Sequence, residues 1–263
     1  MTPLILSADD FGLDEGIDAA VLDLALRGRL TATSCLTLSP RWNDAARSLT
    51  PSVRERIDVG LHLDFTEFGA AMPWPTLVMT SYVRQLRAGD VSRRIALQLD
   101  AFETATGTPP DYVDGHRHIH QLPQIRSALL RELERRYGDS RPWIRLSRPA
   151  SGSGFKGAVI DLLGGVGLAR EAERAGFQCT KRLLGVYGFD LAADDYTLKV
   201  NAWLAQARRF DALMVHVAQH APPADPIGAA RLAEYAALNS DGFATALAEA
   251  GVRLARGREI FAT

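Results

Sequence analysis

Short apolar runs alternate along the chain with longer segments of helical periodicity. The apolar runs are rich in branched residues and end at Gly, Pro, Asp or His, which is typical of buried strands. Such alternation predicts βα units arranged around a parallel sheet. The predicted strands are Leu4–Ala8, Thr33–Leu38, Ile57–Leu63, Tyr112–Asp114, Trp143–Leu146, Gln178–Val186, Leu213–Val217 and Val252–Leu254.

The chain shows neither an internal repeat nor a linker with a shift in composition, and its 263 residues suffice for one large α/β domain. We therefore expect residues 1–263 to form a single domain, a distorted or incomplete (β/α) barrel. Helical patterns predict helices between the strands, among them Asp14–Arg27, Gln124–Tyr137 and Ala229–Asn239. Two segments rich in Gly, Pro or Ser are expected to be loops, Glu67–Pro75 and Ser151–Gly157.

Composition narrows the classes of function. The formal charge is −1, from 30 basic and 31 acidic residues, so no overall field favours nucleic acid or acidic lipid. Cys35 and Cys179 lie far apart, which argues against a disulfide framework or a thiolate zinc site. The first residues lack the basic region of a signal peptide, and no apolar run approaches the roughly 20 residues that span a membrane. We expect a cytoplasmic protein with no membrane span, and a homodimer as the commonest default assembly.

All six histidines lie in three short segments, and each segment is at the carboxyl end of a predicted strand. In parallel α/β folds that end of the sheet presents the catalytic groups. The gaps between the segments correspond to whole βα units of roughly 30 residues, which would return the chain to the same face of the sheet. The histidines are His62, His116, His118, His120, His216 and His220.

Each of these features also has an ordinary structural interpretation. His62 alone is more often a satisfied, semi-buried residue, and Asp9-Asp10 would suit a helix cap before the helix that begins near Asp14. The segment from Asp114 to His120 is harder to explain in this way. If it is extended, its three alternate histidines share one face, where they can meet a metal or a substrate. His216 closes a strand and is favoured as functional over His220.

Two imidazoles and one carboxylate can hold a divalent ion and leave coordination positions open, as catalysis requires. Such an ion lowers the pKa of water and polarises a carbonyl oxygen. A second carboxylate can then take a proton from the attacking water, and a histidine can protonate a leaving amine. Asp9 and Asp10 suit the two carboxylate roles, but the residues by themselves leave open which aspartate takes which.

Three motifs closely resemble those of the YdjC-like carbohydrate deacetylases, a family that includes chitooligosaccharide and hopanoid-associated deacetylases. The motifs are Ser7-Ala8-Asp9-Asp10-Phe11-Gly12, Val59-Gly60-Leu61-His62-Leu63 and Asp114-Gly115-His116-Arg117-His118-Ile119-His120. Their order and spacing match from residue 4 to about 123, and the family's length matches the whole chain. The resemblance implies a distorted (β/α) barrel that removes acetyl from an N-acetylated sugar in a metal-dependent reaction.

Carried over residue by residue, the resemblance makes Asp10, His62 and His116 the metal ligands and Asp9 the general base. His216 would be the general acid, although Val217-Ala218 follow it where the family usually has Pro-Gly. The family's later arginine-bearing strand corresponds to the segment from Trp143 to Leu146, which makes Arg145 a substrate contact. The remaining histidines of the third motif, His118 and His120, are taken as orienting or substrate-facing groups.

One divalent ion, zinc or magnesium, is the expected cofactor. The His-His-Asp ligand set suits zinc or a similar transition metal, whereas magnesium prefers oxygen ligands but has been described in members of the family. Loops at Glu67–Thr80 and Ser151–Lys156 are expected to select the sugar, with Trp42, Trp74 and Trp143 available for stacking. Two alternatives remain: a non-catalytic metal- or sugar-binding protein, and another metallohydrolase that acts on amide or phosphate bonds.

Overall fold

The apolar runs form the strands of one parallel sheet in the structure, a computed structural model that describes residues 1–150 and 154–262, with all their side chains except those of 154–156. The strands are β1 (Thr2–Phe11), β2 (Ala32–Cys35), β3 (Asp58–Leu63), β4 (Tyr112–Gly115), β5 (Trp143–Ile144), β6 (Arg182–Leu184), β7 (Asp211–Val215) and β8 (Val252–Leu254). The helices are α1 (Glu15–Leu26), α2 (Trp42–Arg47), α3 (Pro51–Arg54), α4 (Trp74–Tyr82), α5 (Ala88–Thr106), α6 (Pro123–Tyr137), α7 (Gly154–Ile160), α8 (Val166–Arg174), α9 (Ala193–Ala205), α10 (Gly228–Asn239), α11 (Asp241–Glu249) and α12 (Gly257–Phe261). A 3₁₀ segment, His116–Gln121, directly follows β4, and a π-helical segment, Asp161–Gly165, joins α7 to α8.

The strand order is β5-β4-β3-β2-β1-β7-β6, with β8 beside the first residues of β1, and the paired strands are parallel. Single-residue bridges join Ile144 to Cys179 and Pro149 to Leu183. The chain that follows β5 therefore lies against the chain that leads into β6, and the two ends of the sheet meet. The result is a curled sheet surrounded by helices, and the predicted distorted (β/α) barrel is confirmed.

The two faces of β1 pack into different apolar cores. Leu4, Leu6 and Ala8 belong to the larger core, which the surrounding helices share. Ile5 belongs to a smaller core with Tyr112, and this core fills the inside of the barrel. Because side chains alternate along a strand, Asp9 lies on the same inner face as Ile5, at the carboxyl end of the barrel. The strand thus places a carboxylate above a packed apolar interior.

Several element boundaries differ from the sequence predictions. The loop expected over Glu67–Pro75 ends early, because α4 begins at Trp74 with a proline in its first turn. The loop expected over Ser151–Gly157 is wrong in its second half, where α7 begins at Gly154, and residues 151–153 lie outside the described part of the chain. Among the described helices, none is both long enough and apolar enough to cross a bilayer.

Candidate active site

A cavity of about 470 Å³ lies at the carboxyl ends of β1, β3, β4 and β7. The five residues that the resemblance assigns to metal binding and acid–base catalysis line it together, although they come from four different strands. Parallel strands present their carboxyl ends at one edge of the barrel, which explains the convergence. The five are Asp9, Asp10, His62, His116 and His216.

The end of β1 is irregular, and the irregularity brings two adjacent aspartates to one cavity. The register between β1 and β2 shifts between Ala8 and Phe11, and Asp10 adopts a left-handed backbone with φ of 70°. In a regular strand, neighbouring side chains would point to opposite faces of the sheet. Aspartate tolerates the left-handed region better than most residues do. The local break in the strand therefore makes both carboxylates available to the same site.

Asp10, His62 and His116 bring their donor atoms together. The Oδ1 atom of Asp10 lies 3.4 Å from Nε2 of His62 and 3.0 Å from Nδ1 of His116. The three possible donor atoms all lie within 4.8 Å of one another. Two imidazole nitrogens and a carboxylate oxygen in this arrangement match the ligands that a catalytic divalent cation uses. The structure thus places the three predicted ligands side by side.

The ring of His62 is held by groups on its other side. Its Nδ1 atom lies 2.6 Å from Oδ1 of Asp114 and 3.0 Å from the hydroxyl oxygen of Ser34. Burial would lower the pKa of His62, but Asp114 and Asp9 outweigh it and raise the pKa to about 10. A carboxylate that accepts a hydrogen bond from a ligand histidine fixes the ring and directs the other nitrogen to the metal. The Nε2 atom is the one that faces Asp10.

The second oxygen of Asp10 is bound by a buried arginine. The Nη2 atom of Arg231 donates to Oδ2 of Asp10 at 2.8 Å, and Nε of the same guanidinium donates to Asp225 at 2.8 Å. Burial alone would raise the pKa of Asp10, but the charge of Arg231 and hydrogen bonds from the two histidines hold it well below its usual value. Asp10 is therefore ionised, as a metal ligand must be.

Asp9 is held by a different arginine. Arg145 donates from Nη2 to Oδ2 of Asp9 at 2.7 Å, and the same nitrogen lies 2.7 Å from Oδ2 of Asp114. The Oδ1 atom of Asp9 is buried and has no hydrogen-bond partner among the described residues. Burial raises the pKa of Asp9 despite the opposing charges of Arg145 and His62. This carboxylate is therefore held in a fixed orientation, with Oδ2 lying 4.0 Å from Nε2 of His62.

His216 follows β7 and faces the same carboxylate. Its Nε2 atom lies 4.0 Å from Oδ2 of Asp9, and its backbone N–H donates to Oε2 of Glu234 at 2.6 Å. The edge of its ring meets Phe189 with ring centres 5.0 Å apart. Burial and the nearby charges of Arg231 and His62 outweigh the effect of Asp10 and lower the pKa of His216 to about 3. The ring is therefore neutral at pH 7.

The histidine-rich segment is a tight turn, and the prediction of an extended segment with three histidines on one face is wrong. Arg117 and His118 have left-handed φ values of 52° and 61°, which abolish the alternation of an extended strand. His116 meets Asp10, whereas His118 also lines the cavity and contacts the hydroxyl of Ser147 at 2.8 Å. His120 is fully buried, with Nε2 3.0 Å from the carbonyl oxygen of Arg145.

Two of the expected substrate contacts do not reach the cavity wall. His120 and Arg145 are both buried and are absent from the described lining, because one supports the chain at Arg145 and the other pairs with Asp9 and Asp114. The structure therefore places them behind the site. Of the tryptophans considered for stacking, Trp74 lines the cavity, whereas Trp42 and Trp143 are buried in the core.

Most of the chain matches one known protein family. The model of the family described as YdjC-like protein matches residues 3–249. This chain belongs to the YdjC-like family. A chitooligosaccharide deacetylase from Yersinia pestis is 32% identical over 134 residues, which cover 46% of this YdjC-like chain and 52% of that protein. The chain thus spans about half the length of the curated relatives that it matches.

Solved structures support the fold of this YdjC-like protein. A protein from Enterococcus faecalis V583 named for cellobiose-phosphate cleavage has a TM-score of 0.73, with 18% identity over 98% of both chains. A peptidoglycan N-acetylglucosamine deacetylase has a TM-score of 0.57, with 13% identity over 99% of this chain and 88% of that one. At such low identities the likeness concerns the fold alone.

Sequence reasoning missed the buried charged side chains that contact Asp10 and His216 in this YdjC-like chain. Arg231 and Glu234 lie one turn apart on the buried face of α10, and Asp225 precedes that helix. One signal was present in the sequence, because Arg231 and Glu234 occupy helical positions that share a face with apolar Leu238. Charged side chains at positions that a core-facing helix normally fills with apolar residues indicate buried partners.

Proposed function

We propose that this chain is a metal-dependent hydrolase that removes acetyl from an N-acetylated sugar by cleaving the acetamide bond. The observation that carries the proposal is the convergence of Asp10, His62 and His116 in one cavity with Asp9 and His216. The name of the curated relative, chitooligosaccharide deacetylase, supports the choice of an acetamide on a sugar. The match to that relative covers about half of its length, so the activity itself needs a direct test.

The donor groups fit a divalent cation. Asp10, His62 and His116 would hold it, and Oδ2 of Asp9 lies 4.0 Å from Nε2 of His62. When bound, the ion would polarise the acetamide carbonyl and lower the pKa of water. Two nitrogen ligands and one oxygen ligand favour zinc or a similar transition metal over magnesium, which prefers oxygen ligands. Zinc and magnesium are the two candidates, with zinc the better match to these ligands.

Asp9 is the general base in this proposal. Arg145 fixes the carboxylate through Oδ2, the oxygen that lies 4.0 Å from Nε2 of both His62 and His216, so the proton acceptor is oriented before the substrate arrives. Its raised pKa brings its proton affinity closer to that needed at neutral pH, where general bases work best. Asp9 takes the proton from the water as the water oxygen bonds to the acetamide carbon.

His216 is the general acid, on the same side of the cavity as Asp9. Its lowered pKa means that any proton on the ring is weakly held, which favours transfer to an amine of much higher proton affinity. Nε2 of His216 lies 4.0 Å from Oδ2 of Asp9, which exceeds hydrogen-bonding distance, so a proton taken up by Asp9 would reach the ring through a bridging water or after a small shift of the two side chains. The C–N bond breaks as the nitrogen gains its proton, and the products are acetate and the free amino sugar.

Residues at the cavity wall are candidates for sugar contacts. Trp74 contributes an aromatic ring to the cavity lining. Glu67 lies near the proposed metal ligand His116, with its Oε2 atom 3.9 Å from both Nε2 of His116 and Nη2 of Arg117. Both Trp74 and Glu67 belong to the Glu67–Thr80 segment that the sequence marked for specificity. The side chains of the Ser151–Lys156 segment lie outside the described residues.

The proposal is tested by measuring acetate release from N-acetylglucosamine oligomers and other N-acetyl sugars, with metal content determined on the same samples. We expect turnover that a chelator abolishes and that added zinc or magnesium restores. Metal-loaded protein that releases no acetate from any sugar of a broad panel would contradict the proposal and favour a non-catalytic binding protein. Phosphate release from sugar phosphates in the same assay would favour the other metallohydrolase alternative.

A further inference from the structure

Arg231 occupies an unusual place for a buried cation. Its side chain is only 4% exposed, and it reaches from α10 to the far oxygen of Asp10. The oxygen that it binds, Oδ2, is the one turned away from the two histidines, whereas Oδ1 faces His62 and His116. The arginine and the two histidines therefore divide the two oxygens of one carboxylate between them.

Arg231 is itself fixed from two directions. Its Nε donates to Oδ2 of Asp225, and Oδ1 of Asp225 accepts from the backbone N–H of Ile227 at 3.0 Å, just before α10. The carbonyl oxygen of Arg231 accepts from the backbone N–H of Ala218, two residues after His216, at 3.2 Å. The guanidinium is therefore held in place by the segment before α10 as well as by the helix that bears it.

We propose that Arg231, anchored by Asp225, is a positioning residue that restricts Asp10 to binding the metal through one oxygen. A free carboxylate can offer both oxygens to a cation and so occupy two coordination positions. With Oδ2 engaged by a planar, permanently charged guanidinium, only Oδ1 is presented. The coordination position that the second oxygen would otherwise occupy is left open for water and the substrate carbonyl, and a catalytic site requires such open positions.

Stabilisation of the fold does not by itself explain the ion pair between Arg231 and Asp10. Buried ion pairs contribute little net stability relative to apolar residues of similar size, because desolvation offsets their attraction. The chain has another largely buried pair at the opposite ends of the strands, Arg182 with Asp211, whose Nε–Oδ1 distance is 3.0 Å. Neither residue is among the described residues that line the cavity, so the pair provides a matched control.

The inference rests on the proposed metal site but not on the identity of the substrate, so its test measures Co²⁺ binding by the full chain without any sugar. The measurements are Co²⁺ affinity by calorimetry and the visible absorption spectrum of the bound ion, which reports its coordination. We expect Arg231→Ala to weaken Co²⁺ binding by roughly 10- to 100-fold, the usual effect of removing a group that orients a ligand, and to change the spectrum. Arg231→Lys should not restore the wild-type spectrum, because a lysine keeps the charge but cannot donate to Asp10 and Asp225 in the planar geometry of a guanidinium.

Two further variants distinguish positioning from folding. Asp225→Asn should change affinity and spectrum in the same direction as Arg231→Ala but by less, whereas Arg182→Ala should leave both at wild-type values even if it lowers the melting temperature. Unchanged affinity and spectrum in Arg231→Ala would overturn the inference. If that variant does not fold, wild-type affinity and spectrum in both Arg231→Lys and Asp225→Asn would overturn it. Absence of sugar deacetylation in the wild type would refute only the proposed reaction.

Discussion

The two neighbouring aspartates of this site have pKa values shifted in opposite directions, because their side chains contact different partners. Asp9 and Asp10 are adjacent in the chain and both buried, yet the pKa of Asp9 is raised and that of Asp10 is lowered. Burial raises both, and only Asp10 accepts enough hydrogen bonds and positive charge to overcome it. A carboxylate with a low pKa suits a ligand, and one with a raised pKa suits a base. The environment thus gives two identical side chains different proton affinities, which match the proposed roles of base and ligand.

Substitutions at Asp9 and His62 should separate these roles. Asp9→Asn keeps the shape of the side chain and its distance from the ligands, so we expect metal binding to persist while kcat falls by roughly 10²- to 10⁴-fold, as for the loss of a general base. His62→Ala should lose the metal together with the activity. Metal analysis and acetate release on the same preparations check both. Loss of metal from Asp9→Asn would contradict the assignment of this residue as the base.

The residues that sequence reasoning could predict are those whose position depends on strand ends. Asp9, Asp10 and His62 lie in the last residues of buried strands and His116 directly follows one, and parallel strands must present their ends together. His120 and Arg145 could not be placed in this way, because their orientation depends on two left-handed residues in the turn and on partners far away in the chain. Residue type and spacing carry no information about such long-range pairings.

The helix α10 illustrates how one element supports chemistry that it does not itself perform. Its buried face carries Arg231, which contacts Asp10, and Glu234, which accepts from the backbone of His216 and from the hydroxyl of Tyr187 at 2.6 Å. Burial raises the pKa of Glu234 to about 7, although Tyr187 and the backbone N–H of His216 oppose the shift. The helix therefore holds the ends of β1 and β7 in a fixed relation.

Stability should consequently depend on pH through Glu234. Its pKa is about 7 in the fold against an ordinary value of 4.5, so the folded state binds the proton more tightly and its contribution to stability is lost as pH rises through 7. Compared with Glu234→Gln, the wild type should lose on the order of 3 kcal/mol of unfolding free energy between pH 4.5 and 8. Urea titrations of both proteins across this range measure the difference. Parallel pH profiles for the two would contradict the prediction.

Across the whole molecule, the strands of the sheet could be predicted better than the way in which the two ends of the sheet meet between β5 and β6. Short continuous apolar runs marked the strands, because a parallel sheet is buried on both faces. The region from β5 to β6 followed poorly from the sequence. There the pairing rests on isolated bridges at Cys179 and Pro149, and α7 continues through a π-helical segment with Gly164 at φ of 114°. Such irregular pairing depends on how segments that are far apart in the chain pack against each other. The local pattern of apolar and polar residues does not predict this packing.

Metal binding should stabilise the entire fold, because the ligands come from β1, β3 and the turn after β4 and unfold together. At a metal concentration about 100 times the Kd, linkage predicts about 2.7 kcal/mol of added stability. For a chain of this size that corresponds to a rise in melting temperature of roughly 5–10 °C. Calorimetric melting with zinc and with chelator measures it, and His116→Ala should abolish the difference. Identical melting temperatures for the wild type in both conditions would contradict a metal shared by these elements.

The position of β1 inside the sheet has a consequence for how the site moves. One edge of this strand pairs with β8 at its first residues and with β2 further along, and the other edge pairs with β7, so both of its edges are hydrogen-bonded. Amide protons in such a strand exchange with solvent chiefly through opening of the whole domain, whereas those of surface loops exchange through local fluctuation. The backbone that carries Asp9 and Asp10 should therefore be among the last to take up deuterium. Entry and exit of a substrate then depend on the wall segments around Glu67 and Ile227, while the carboxylates remain stationary.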